Sequence, residues 1–333
     1  MLIIQSLPQS MKLAIGTGIG FFIAYIGFKN IGLVEISGSG LPIASLANLK
    51  DNWPLILMGI FVLTLIFILY FKKVPGAIAL AILCGLIISL IIGNVSNSDF
   101  IKKNFAHWTN WSYSDFSSWK INLNNTYNAI VNPKIWSSPT MYIAIFVFLF
   151  VSFFDATGCL YSITHQINEQ VNSNYELNKK ALMADSFGTL SVSLIGCSPI
   201  TTYIESSTGV AQGARTGFSA IITGTMFLIA IILYPIFKLI TPCVSGAALI
   251  FVGSLMIKQL INIEWKKSEI SIAAFFTIII MIITYSITNG IAIGYLIYTL
   301  VSIINKKYKD IHIITYILDL MFIGYFIAYA FVQ

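Results

Sequence analysis

Charge is what this sequence has least of. Asp, Glu, Lys and Arg make up 10% of its 333 residues, against 57% hydrophobic. A soluble domain carries about 25% charged residues, so this chain has too little to cover a water-facing surface. The net charge of +6 does not point to nucleic acid. Its lysines sit in short loops between apolar runs, where basic residues set membrane orientation. Cysteine is also scarce. Cys84, Cys159, Cys197 and Cys243 lie in or beside apolar segments without CxxC spacing, and read as free thiols packed among helices. His107, His165 and His312 fall far apart in loops without metal-ligand spacing and read as solvated. No P-loop, HExxH or Ser-His-Asp arrangement is present, so nothing calls for a cofactor, a metal or an enzymatic reaction. The opening MLIIQSLPQSMK lacks the basic start and cleavage site of a signal peptide.

What the sequence has in abundance is long apolar runs. A helix needs about 20 apolar residues to cross the hydrocarbon core, and lipid leaves no water to satisfy an open backbone. Runs over 10–28, 54–71, 75–93, 141–160, 180–196, 203–213 (short), 216–240, 243–260, 270–286, 288–304 and 314–332 predict an all-α polytopic membrane protein. The polar, Trp-rich segment 94–140 reads as an extramembrane loop with an interfacial helix. Placing Lys12, Lys72, Lys73, Lys179, Lys180, Arg215, Lys258, Lys266, Lys267, Lys306, Lys307 and Lys309 inside satisfies the positive-inside rule. Residues 7–94 and 242–305 share an order: Pro, Gly-containing helix, polar loop, apolar helix, tight turn, helix. The first unit starts inside and the second outside, the pattern of an inverted repeat. Gly16-Thr-Gly18-Ile-Gly20 lies within an apolar helix and reads as small-residue helix packing, not a nucleotide loop.

Three carboxylates stand inside or at the ends of these runs. They are Asp155 in Ser152-Phe-Phe-Asp-Ala-Thr-Gly158, Asp185 in Ala184-Asp-Ser-Phe-Gly-Thr189, and Glu205 in Thr201-Thr-Tyr-Ile-Glu-Ser206. Ionisable groups at that depth cost free energy, and they mark sites more often than packing when several cluster. Pro199 and the β-branched residues after it disfavour a continuous helix. The expected form is a short extended piece near 197–203, then a half-helix beginning near Thr202. Broken helices persist at membrane depth only inside protein or along a cavity. Glu205 would then sit in the first turn, where free N–H groups and the dipole favour an anion.

At these residues the sequence resembles the AzgA-type hypoxanthine/adenine/guanine permeases of the nucleobase:cation symporter-2 (nucleobase–ascorbate transporter) family. The likeness runs through the Asp155, Asp185 and Glu205 motifs, Gly213-Ala-Arg215-Thr-Gly217, and the opening Leu7-Pro8-Gln-Ser-Met-Lys12. It implies fourteen segments in two inverted repeats of seven, divided into core and gate. On that scheme 1–93 is the first half of the gate (segments five to seven) and 94–140 the loop. Residues 141–240 are the second half of the core (eight to eleven), 241–305 the second half of the gate (twelve to fourteen), and 306–333 a C-terminal apolar segment. Asp155 and Glu205 would contact the base, with Ser198, Thr201, Thr202 and Tyr203 beside them. One of Asp155, Asp185 and Glu205 would carry the coupling proton. Pro199, Gly158, Gly209, Gly213 and Arg215 take structural roles. Cys159, Cys197 and Ala214 depart from the family's usual Thr, Thr and Gly.

The resemblance implies secondary transport of a purine base with a proton across a bacterial cytoplasmic membrane. Nothing in the chain matches segments one to four. The expectation is therefore a truncated chain, or a split one whose site another polypeptide completes; a homodimer is left open. Two other readings stand beside it, a non-transporting membrane fragment and an anion carrier of the same fold. The paired carboxylates, which would repel an anion, weigh against the second.

Overall fold

The structure is a computed structural model. It describes residues 8–36, 44–46, 49–74, 76–95, 99–107, 117–171, 175, 178–197, 199–203, 206–308 and 311–332. The apolar runs become helices, each satisfying its own backbone: α1 Gln9–Ile31, α2 Leu49–Phe71 and α3 Ala77–Val95. After the polar segment come α7 Pro139–Val171, α8 Lys179–Leu194, α9 Ser206–Ala211, α10 Gly217–Ile232 and α11 Tyr234–Lys238. The series closes with α12 Pro242–Met256, α13 Ser268–Ile283, α14 Ile287–Ile304 and α15 Ile313–Val332. Five described helical stretches are long and apolar enough to span a bilayer: Gln9–Ile31, Asn52–Phe71, Ala77–Val95, Pro242–Asn262 and Ile287–Ile304. The chain is a helical, multi-pass membrane protein.

Several expectations change in detail. The predicted span 216–240 breaks at Leu233, because Pro235 lacks the N–H that would continue α10. The span 243–260 stays α-helical to Met256 and tightens into a 3₁₀ turn over Ile257–Asn262. Among the described residues, segment 94–140 holds α4 Asp99–Asn104, α5 Ser117–Val131 and α6 Pro133–Trp136. Between α1 and α2, β1 Val34–Ile36 pairs antiparallel with β2 Ala44–Leu46, with Glu35 opposite Ser45. Cys159 and Cys243 are buried, whereas Cys84 and Cys197 are exposed on the chain. His107 is not freely solvated: its Nε2 is buried without a hydrogen-bond partner among the described residues.

The helices gather into two compact units. One comprises Met1–Ile19, Phe116–Ser207 and Met256–Gln333; the other Gly20–Asp115 and Thr208–Leu255. In the second, α2 and α3 form a helical hairpin, and Met58, Val62, Ile66 and Ala81 bury against Val244, Ala247 and Phe251 of α12. The end of α1 crosses α12 antiparallel through glycines spaced alike on both helices. A Cβ on Gly27 would lie 2.6 Å from the Gly246 carbonyl oxygen, and one on Gly253 would lie 2.5 Å from that of Gly20. Small residues let the backbones meet, which is how helices gain contact in lipid.

In the first unit α13 and α14 form a second hairpin, so tight that a Cβ on Gly290 would meet Met281 and one on Gly294 would meet Thr277. The start of α1 joins it, Gly18 against Met281. Helices α7 and α15 pack on α14. Both hairpins close alike. Lys73 and Tyr285 take the left-handed conformation two residues past α2 and α13. In each turn the next N–H reaches five residues back, Val74 to Leu69 and Ser286 to Met281.

Candidate functional site

The break between α8 and α9 begins with a forced stop. Asn178 caps the start of α8, its side chain accepting from the Lys180 N–H at 2.9 Å. At the other end Gly196 takes φ +80°, and the Cys197 N–H bonds back to the Val192 carbonyl. A side chain there would suffer twice. The left-handed backbone disfavours it, and its Cβ would lie 3.1 Å from the Leu123 backbone nitrogen of α5.

Past the stop, residues 199–203 are not helical. They run back along α8, held by one face of it. The Thr189 hydroxyl donates to the Ile200 carbonyl at 2.7 Å. The Thr202 hydroxyl donates to Asp185 Oδ1 at 3.1 Å. Between them a Cβ on Gly188 would lie 2.9 Å from Ile200 Cδ1. Asp185, Gly188 and Thr189 are one turn apart, so a single helix stripe carries the tether. One hydroxyl from α8 and one from the stretch thus fix its path.

The helix resumes at Ser206, not near Thr202, and α9 has six residues. Pro199, with no N–H to give, and the Thr202 hydroxyl committed to Asp185 of α8 favour the longer open stretch. The end of α9 is capped by Arg215, whose Nη1 donates to the carbonyls of Val210 at 2.9 Å and Ala214 at 2.8 Å. Gly213 turns the chain there with φ +105°, a conformation that favours glycine. Gly209 has room for a side chain, its nearest neighbour being Ala214 Cβ at 4.0 Å. Gly158 is closed in from α1, with Ile19 Cδ1 at 3.0 Å and Ile15 Cγ2 at 3.1 Å from its Cβ position.

The structure therefore brings Asp185 and Thr202 together. It leaves the Thr201 hydroxyl buried with no hydrogen-bond partner among the described residues, and Tyr203 55% exposed. Pro199 stands on the exposed side of the stretch. Asp155 lies within α7, between the apolar run and the buried Ala156, Thr157 and Cys159; its side chain is outside the described atoms. Ser198 and Glu205 lie outside the described residues. Chemically, the break offers one half-buried carboxylate, a hydroxyl without a partner among the described residues, and backbone outside any helix. That set can hydrogen-bond a neutral, flat, polar solute.

A second polar feature occupies one end of the first unit. A cavity of about 660 Å³ is lined by Pro8, Ser10, Glu264, Lys267, Glu269, Tyr298 and Lys307 among others. Its charges are paired: Lys267 with Glu264 at 2.7 Å and Lys307 with Glu269 at 2.5 Å. The Glu264 carboxylate at its side raises the affinity of Lys267 for its proton. The positive-inside reading places these residues on one side of the membrane, the inner one.

A family model described as a permease family, of xanthine/uracil type, matches residues 1–309. The chain belongs to the xanthine/uracil permease family. Among its relatives, the guanine/hypoxanthine permease PbuG of Bacillus subtilis is 36% identical over 325 residues, which cover 98% of this chain and 70% of that protein. The adenine permease AdeP of Escherichia coli is 30% identical over 322 residues, covering 96% and 67%. The permease is thus a transporter and not an enzyme, and the helix break is the natural place to look for its solute.

The permease also carries polar groups outside the helix break. Asp319 lies in the middle of an apolar helix, a signal legible from sequence. The Asn289–Tyr325 hydrogen bond of 3.0 Å between α14 and α15 was not legible, since nothing local pairs residues that far apart.

Proposed function

We propose that this permease carries purine bases across the bacterial cytoplasmic membrane together with protons. The observation that carries the reading is the Asp185–Thr202 tether, which holds a stretch of open, hydroxyl-rich backbone against α8. A purine base is flat, neutral and rich in N–H donors and ring acceptors. Carboxylates can accept its N–H groups, and backbone N–H groups can serve its carbonyl or ring nitrogen. Asp155 and Glu205 take the first role, the backbone near Tyr203 the second, with Ser198, Thr201 and Thr202 completing the polar wall. One of Asp155, Asp185 and Glu205 changes protonation during the cycle. The helices of 141–240 move as a core against a gate built from 1–93 and 241–305, alternating access. The PbuG and AdeP names, which specify guanine, hypoxanthine and adenine, support the choice of solute.

The test is uptake. A host lacking its own purine permeases, expressing the full chain, should accumulate labelled hypoxanthine or adenine, and an uncoupler should abolish the accumulation. Glu205→Ala should remove it. Uptake unchanged in Glu205→Ala would overturn the role given to that residue, and no uptake of any purine would overturn the function.

A further inference from the structure

The last helix holds a carboxylate that the proposed transport site does not use. Asp319 is 7% exposed, and neither of its oxygens has a hydrogen-bond partner among the described residues. The helices packed on α15 are α14 and α7. From α14, Tyr295 and Thr299 face the carboxyl, both themselves buried. The Thr299 hydroxyl approaches without reaching hydrogen-bond geometry. Tyr295 is the titratable group that faces it, and no cation from either helix does so among the described residues.

An ionised carboxylate with no partner is costly in such surroundings, so the group is at ease there only with a cation on it. A multivalent ion would need several oxygen ligands, mostly anionic. No cluster of three acidic, His or Cys side chains exists among the described residues. A proton needs only the one carboxyl.

The surroundings also supply a route. Tyr295, Thr299 and Ser302 follow at four and then three residues, one face of α14. The Thr299 and Ser302 hydroxyls are buried without hydrogen-bond partners among the described residues. One turn beyond Ser302, Asn305 donates to Glu269 at 3.4 Å and Lys307 pairs with the same carboxylate. Glu269 and Lys307 line the polar cavity at that end of the unit. Hydroxyls can each donate and accept, so the stripe sets exchangeable groups at turn spacing between the buried carboxyl and the cavity wall.

We propose that Asp319 binds and releases a proton inside the bundle, exchanging it with the Glu269–Lys307 cavity through the hydroxyls of Thr299 and Ser302. The proposal rests on the proton-coupled permease reading only for its purpose; the site itself is tested without a nucleobase. In vesicles of defined phospholipid, infrared spectroscopy of the wild-type chain should show a protonated carboxyl band that shrinks as pH rises. The band should vanish in Asp319→Asn and persist, shifted, in Asp319→Glu. Transfer to D₂O should shift it, and Thr299→Val/Ser302→Ala should slow that shift about tenfold, since the relay groups are gone.

A wild-type band that ignores both pH and D₂O would make Asp319 a fixed structural acid and overturn the proposal. So would a protonated-carboxyl region unchanged in Asp319→Glu, or loss of the band on adding sodium at constant pH. These outcomes need no transport. Failed purine uptake with an intact Asp319 band would sink the proposed substrate and leave the proton site standing.

Discussion

Adding one methyl group to Gly27 tests how the α1–α12 crossing is held. The Cβ of Gly27→Ala would lie 2.6 Å from the Gly246 carbonyl oxygen, 2.7 Å from Ile250 Cγ1 and 2.9 Å from the Ile250 backbone nitrogen. Two of these three atoms are backbone, so rotamer changes cannot relieve the clash. The helices must part by about 0.8 Å, the gap between 2.6 Å and the 3.4 Å at which ordinary contact begins. A gap of 0.5–1 Å forfeits about a quarter to a half of each contact's attraction along the crossing, and overpacking typically costs about 1–3 kcal/mol. Against this, alanine in a helix is favoured over glycine by about 1 kcal/mol. The net expectation is a loss of up to roughly 2 kcal/mol, which places Gly27→Ala about 1–3 kcal/mol below an unhindered Gly→Ala change. Gly224 of α10 is the control, for nothing lies within 4 Å of its Cβ position, and Gly224→Ala should be neutral or stabilising. The assay is unfolding in mixed micelles titrated with SDS, followed by circular dichroism. A Cβ on Gly246 would meet the Gly27 carbonyl oxygen at 2.8 Å, so both substitutions open the same gap. The double variant should lose clearly less than the two single losses added together. A Gly27→Ala chain as stable as Gly224→Ala, or strict additivity in the double variant, would refute the account of this crossing.

Two further outcomes follow from the polar contacts. Thr202→Val removes the hydroxyl that donates to Asp185 and keeps the shape; it should cut initial purine uptake several-fold while Thr202→Ser restores it, and equal rates for Val and Ser would show that the tether does not matter. Lys307→Met strands Glu269, whose side chain is 8% exposed; a buried charge left without its partner costs about 1–3 kcal/mol or more, so the same SDS titration should show a loss of that order, recovered in Glu269→Gln/Lys307→Met, and no recovery would remove the ion pair as the cause.

Sequence alone determined that this chain lives in lipid and is helical, because charge content and the length of apolar runs decide those questions before any folding. It also located the helix break, since Pro199 and its β-branched neighbours act locally. The order of helix, loop, helix, turn and helix in 7–94 and 242–305 is likewise visible in pattern. The start of α9 falls later than the local pattern predicts, for the Thr189 hydroxyl of α8 holds Ile200 and the Thr202 hydroxyl holds Asp185 of α8, keeping the stretch open to Tyr203. What only the tertiary structure decided is pairing over distance. Gly27 and Gly253 are ordinary helix glycines until α12 arrives on α1. Asp319 is one acidic residue in a greasy helix until α14 surrounds it with hydroxyls but gives it no partner. Burial and hydrogen bonding depend on which surfaces meet, and a one-dimensional pattern does not carry that information.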